Sequence, residues 1–136
     1  MSPWLRDRLY DAFPDLYAEH TLPMQQTAMC WGFSCGDGWF GLVWELSGDL
    51  NKLIQREPAA ERASYRAVQV KEKFGGLRFY MRASTPTIDA RIARAEAESF
   101  CTCDVCSKPG ALSKGGRWQT RCAEHDNAQV APGYGD

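Results

Sequence analysis

Four side chains near the carboxyl end have the types and spacing of a metal site. Cys103-Asp104-Val105-Cys106 is followed by fifteen residues and then by Cys122-Ala123-Glu124-His125. Two ligand pairs, each on a tight turn and joined by a loop of this length, match a structural zinc site with four tetrahedral Cys and His donors. Lys108-Pro109-Gly110 and Gly115-Gly116 are turn signals that fold the loop back. Three thiolates and one imidazole leave no open coordination position, so the expected cofactor is Zn2+ in a structural role. In small zinc peptides such binding supplies roughly 10–16 kcal/mol of apparent free energy. A segment with few large apolar residues needs that help. Cys101 is near enough to compete, but Cys103 makes the two-residue spacing with Cys106. The plain alternative, buried thiols and a surface histidine, must produce both pairs by chance.

A second group carries charge. Val68 to Phe74, Gly75-Gly76, and Leu77 to Met81 read as a β-hairpin over 68–81 with a two-glycine turn. That turn pairs Phe74 with Leu77, Lys73 with Arg78 and Lys71 with Tyr80. Alternation then gives an apolar face of Val68, Val70, Phe74, Leu77, Phe79 and Met81. The opposite face holds Lys71, Lys73, Arg78, Tyr80 and Arg82 with Gln69 and no acid. Such cations around an aromatic ring suit an anionic partner: a phosphate chain with a stacked base, or an acidic patch on a protein. The simpler role is a solvated face whose lysines guard a sheet edge. Glu72 falls on the apolar side, where a carboxylate must find a partner or raise its pKa. An arginine, or water at the hairpin tip, would satisfy it.

A catalytic set is harder to assemble. Asp37, Glu45, Glu72 and Lys71 provide the acids and lysine of a metal-dependent nuclease, but the usual acid-x-lysine step is absent because Gln69 precedes Lys71 by two. No nucleophile–histidine motif or phosphate-binding glycine loop occurs. Of the two histidines, His125 is a metal candidate and His20 lies in a loop.

The elements that position these groups follow from apolar spacing. Ser2-Pro3 starts a short helix with Leu5, Leu9, Ala12 and Phe13 on one side. Met29, Trp31 and Phe33 alternate with smaller residues and predict a strand over 27–33. Asp37 is placed to cap a helix over 38–55 whose stripe is Trp39, Leu42, Val43, Leu46, Leu50, Leu53 and Ile54. Thr85-Pro86 opens a helix over 86–100 with Ile88, Ile92, Ala95 and Ser99 inward, leading straight into the metal segment. The expected class is α+β: a small antiparallel sheet with the hairpin, packed by helices, and a zinc-ribbon-like end. The expected organisation is a core over 1–100, a zinc-binding segment over 101–126 and a loose tail over 127–136.

Composition narrows the class of partner. With 136 residues, 44% hydrophobic, the chain can form one domain and a small metal-held segment. A net charge of −1 gives no global attraction to nucleic acid or membrane, so an anionic partner needs a local patch. No apolar run spans a bilayer, and the first residues carry no apolar signal core. Six cysteines without such a signal, three of them at metal-ligand spacing, point to a reducing cytoplasm rather than a disulfide scaffold.

The blocks Cys35-Gly36-Asp37-Gly38-Trp39, Val70 to Tyr80 (VKEKFGGLRFY) and Cys103/Cys106/Cys122/His125 resemble an uncharacterised family of small phage and prophage proteins. The likeness covers roughly residues 30–126, with the hairpin block its most specific part. It implies a non-enzymatic phage or mobile-element accessory protein in the bacterial cytoplasm, and it assigns no catalytic residue. Such a protein would bind a host protein or ribonucleoprotein, including inhibition of a host factor or of a defence system such as CRISPR. The alternatives are a zinc-ribbon protein that binds DNA or RNA, with Lys114, Arg117, Trp118 and Arg121 assisting the hairpin face, and the nuclease above.

Overall fold

The residues read as helical stripes become the walls of the core. A computed structural model describes residues 1–126; the tail expected over 127–136 lies outside the described residues. In chain order the elements are α1 (Pro3–Ala12), β1 (Phe33–Ser34), α2 (Phe40–Gln55), β2 (Ala67–Lys73), β3 (Gly76–Met81), α3 (Pro86–Ser99), β4 (Ala111–Ser113) and β5 (Gln119–Arg121). Trp39, Val43, Leu46, Leu50 and Ile54 of the α2 stripe are buried, with Leu42 and Leu53 half-buried at its margins. In α3 the inward residues are Ile88, Ile92, Ala95 and Ser99, as their spacing demands. Thr85 Oγ1 accepts a hydrogen bond from the Ile88 amide at 3.1 Å, and Pro86 occupies the first turn, where its missing N–H costs nothing. No helix is long and apolar enough to cross a membrane.

The class is α+β. Strands β1, β2 and β3 form one sheet in that order, with β1 parallel and β3 antiparallel to β2. Strands β4 and β5 pair antiparallel in a separate hairpin. Helix α3 packs on both β3 and α2. Two of its side chains reach the outer edge of β3: Ser99 Oγ accepts from the Leu77 amide at 2.8 Å and Glu96 Oε2 from the Phe79 amide at 3.1 Å.

Three local expectations are corrected. The strand expected over 27–33 is a 3-10 turn at Met29–Trp31 followed by two strand residues. Thr27 Oγ1 accepts from the Met29 amide at 3.1 Å, closing a side-chain turn that competes with extension. Gly32, at φ +73, then redirects the chain. Met29 and Phe33 still point inward, but Trp31 is 67% exposed. Second, the hairpin turn is Phe74-Gly75, with φ +52 and +86, rather than Gly75-Gly76. The observed pairs are Lys73 with Gly76, Glu72 with Leu77, Lys71 with Arg78 and Gln69 with Tyr80. Gly76 is excluded from the turn by packing: a Cβ there would stand 2.2 Å from the Phe100 ring. Near the tip the slip preserves strand parity, so the two faces survive there except for Phe74, which moves to the exposed tip; farther along, a register shift between Ala67 and Gln69 seats Ala67 in the core where Val68 was expected. Third, Asp37 does not cap α2 through its side chain; its carboxylate accepts from the Ser2 amide at 2.6 Å and from the Ser2 hydroxyl. Those two bonds hold the Asp37 carboxyl below the ordinary aspartate range and pin α1 to the start of α2.

Candidate metal centre and the faces around it

The two turns that carry the ligand pairs are built by their own backbones. In the first, the Ser107 amide donates to the Cys103 carbonyl at 3.1 Å and the Cys103 amide to the Lys108 carbonyl at 2.8 Å. Ser107 takes a left-handed conformation at φ +73 to close it. In the second, the His125 amide donates to the Cys122 carbonyl at 3.1 Å. The β4–β5 hairpin covers the intervening residues and brings the turns face to face.

The ligand atoms of Cys103, Cys106, Cys122 and His125 all lie within 4.8 Å of one another. Cys106 Sγ is 3.6 Å from Cys122 Sγ, while His125 Nδ1 is 3.7 Å from Cys103 Sγ and 3.2 Å from Cys122 Sγ. A tetrahedral ion with the bond lengths of zinc requires about 3.8 Å between sulfurs and about 3.6 Å between sulfur and nitrogen. These donors are therefore placed to hold a metal ion of that size, and four protein ligands complete its shell. Burial raises the Cys103 thiol, but the amides of Cys122, Val105 and Cys106 and the Cys106 thiol outweigh it and bring Cys103 down to about 6. A sulfur surrounded by amide donors is stabilised as thiolate, the form a metal binds. Cys101 is exposed and stands outside the cluster.

The metal segment lies flush against the core, and glycines make that approach possible. A Cβ on Gly36 would meet the Asp104 carbonyl oxygen at 2.0 Å, and one on Gly38 the Cys103 carbonyl oxygen at 2.2 Å. Hydrogen bonds follow from the closeness: Gly38 N–H to the Asp104 carbonyl at 3.0 Å, and Trp39 Nε1–H to the Thr102 carbonyl at 2.8 Å. Thr120 Oγ1 donates to the Gly75 carbonyl at 2.7 Å. Asp104, buried at this seam, accepts from Arg121 Nε at 2.9 Å. The Gly-Asp-Gly-Trp and Gly-Gly blocks thus read as seats for the metal segment. Sequence reasoning took both for turn or cap signals.

The outer face of the hairpin carries Lys71, Lys73, Arg78 and Tyr80 together, as parity requires. Arg82 leaves this group. Its guanidinium donates to Glu19 twice, Nε at 3.0 Å and Nη2 at 2.7 Å, and Arg66 Nε adds a third bond at 3.0 Å. Glu19 is 1% exposed. The Arg82 pairing, with Thr27 and Arg66, holds its carboxyl below the usual range against the opposing effect of burial. Sequence reasoning missed this lock because 47 and 63 residues separate Glu19 from its partners. Glu72 finds the arginine expected for it, with Oε1 3.6 Å from Arg117, and where water was the other expectation its Oε2 accepts from the Gly75 amide at 2.7 Å.

Of the acids in the nuclease reading, Asp37 and Glu72 line one open pocket together with Asp104, Arg117 and Arg121, but Asp37 is tied to Ser2, Glu72 accepts from the Gly75 amide, and Glu45 lies exposed on α2. Among the described residues, the Cys103/Cys106/Cys122/His125 group is the one placed to hold a metal. His20 stacks on Tyr10 with ring centroids 4.1 Å apart. Compared with protein-family models, with curated protein sequences and with solved structures, the chain shows no match.

Proposed function

We propose that this chain is a non-enzymatic accessory protein of the phage or mobile-element kind, acting in the bacterial cytoplasm by docking an anionic macromolecule of the host. Its metal is a structural Zn2+, because three thiolates and one imidazole fill a tetrahedral shell and leave no position for a substrate. One observation carries the docking reading. Lys71 stands opposite Arg78, Lys73 continues the row toward the hairpin tip, and Tyr80 lies beyond Arg78 on the same sheet face; none of the three cations has an ion pair among the described residues. On a chain with net charge −1 such a cluster is a local positive field that a polyanion can use. The host target is a protein with an acidic surface or a ribonucleoprotein, and occupying that surface is how such a protein would inhibit a host factor or defence complex.

Binding of the full, zinc-loaded chain to heparin and to poly-glutamate, measured against salt, tests this. Three cations neutralised on a nucleic-acid-like polyanion give a log–log salt slope of about −2 to −3. Lys71→Glu and Arg78→Glu should each weaken binding and flatten the slope by about one. Binding that ignores both salt and these substitutions would reject the reading.

A further inference from the structure

The tip of the β2–β3 hairpin meets the loop of the β4–β5 hairpin at two exposed rings. Phe74 is 63% exposed and Trp118 40%, with ring centroids 6.0 Å apart at an interplanar angle of 66°. Phe74 is held there against two costs. Its backbone sits at φ +52, a left-handed conformation that bulky side chains disfavour, and its ring faces water. A two-residue turn built for folding alone reads Asn-Gly. Backbone strain kept at an exposed aromatic residue points to a use for the ring.

The surroundings indicate which use. Lys73 Nζ lies 5.7 Å from the Phe74 ring centroid and Lys114 Nζ 4.8 Å from that of Trp118. Arg117 is exposed beside them, and with Glu72, Lys73, Phe74, Gly116 and Trp118 it lines an open groove of about 670 Å3. Glu72 is the one acid here, and the Gly75 amide and Arg117 already engage it. Lys73 belongs both to this groove and to the face of Lys71, Arg78 and Tyr80, so rings and cations form one continuous surface.

We propose that this surface binds single-stranded nucleic acid, with unpaired bases stacked on Phe74 and Trp118 and phosphates held by Lys73, Lys114 and Arg117. The inference rests on the polyanion-docking reading and names the partner's class. Aromatic platforms flanked by cations bind single strands because every base has a π-face to offer. A duplex hides those faces in its own stack, and a chain of glutamate alone has none, so either would leave both rings idle.

The experiment uses the full zinc-loaded chain and fluorescence anisotropy with labelled oligo-dT, a blunt duplex of equal length and poly-glutamate as competitor. Oligo-dT should bind more tightly than the duplex. Phe74→Asn and Trp118→Ala should each weaken oligo-dT binding by roughly 5- to 150-fold, the range seen when a stacking ring is removed. Phe74→Asn should also melt at or above the wild-type temperature, since Asn tolerates the left-handed turn; this separates lost binding from lost folding. Equal binding of the duplex, wild-type oligo-dT binding by both variants, or a lowered melting temperature in Phe74→Asn would overturn the inference. If heparin and poly-glutamate still bind through Lys71 and Arg78 in that case, the docking reading stands alone. If no polyanion binds at low salt, both fall.

Discussion

Removing the metal should melt residues 101–126 and loosen the part of the core beneath them. Within that segment the buried hydrophobic residues are Cys103 and Cys122, which are themselves ligands. The segment therefore leans on the bonds from Gly38, Trp39 and Thr120 across the seam and on the ion, worth roughly 10–16 kcal/mol in small zinc peptides. Trp39 is fully buried and donates its indole N–H to this segment, so the two parts should unfold in one transition. Above the dissociation constant, each tenfold rise in free Zn2+ then adds about 1.4 kcal/mol. For a chain of this size that is roughly 5 °C in melting temperature. Calorimetric melts in zinc buffers spanning several decades measure the slope, and elemental analysis should find one metal per chain. Cys106→Ser should abolish the slope and lower the melting temperature to that of the metal-free chain. A metal-free wild type that melts where the loaded protein does would refute the reasoning.

Two further outcomes concern the seam and the buried carboxylate. Gly38→Ala drives a Cβ to 2.2 Å from a backbone oxygen and should cost about 3 kcal/mol or more, whereas Gly41→Ala, in α2 with nothing within 4 Å, should gain about 0.5–1 kcal/mol; paired urea titrations compare them, and equal effects would argue against the glycine seat. Glu19→Gln should cost about 2–3 kcal/mol at neutral pH, toward the lower end for buried pairs because both arginines remain partly exposed. Since the folded protein depresses the Glu19 pKa, its contribution is present above the unfolded value of about 4.3 and is lost as pH falls through the folded one. Wild type and variant should therefore converge in stability as pH falls below the unfolded value and on through the lower folded one, and a constant gap across the titration would contradict the assignment.

What could be read from the chain alone was what depends on near neighbours. The stripes of α2 and α3, the Thr85 cap and the paired ligands of Cys103/Cys106 and Cys122/His125 all have periods or spacings of a few residues, and each appears in the structure. The misplaced features were decided by distant chain. Gly76 is needed under Phe100, so the turn moves to Phe74-Gly75; Asp37 is claimed by Ser2; and Arg82 is drawn off the basic face by Glu19. The strand over 27–33 failed on a short-range competitor, the Thr27 hydroxyl, which alternation of apolar residues does not reveal.

The contacts that α3 makes along β3 have a consequence for crowding. With the Leu77 and Phe79 amides already satisfied by Ser99 and Glu96, two donors along that margin are closed to an incoming strand. Another copy, or an extended peptide, would have to peel the helix away before it could extend the ladder. Side-by-side stacking is disfavoured along that stretch of the margin.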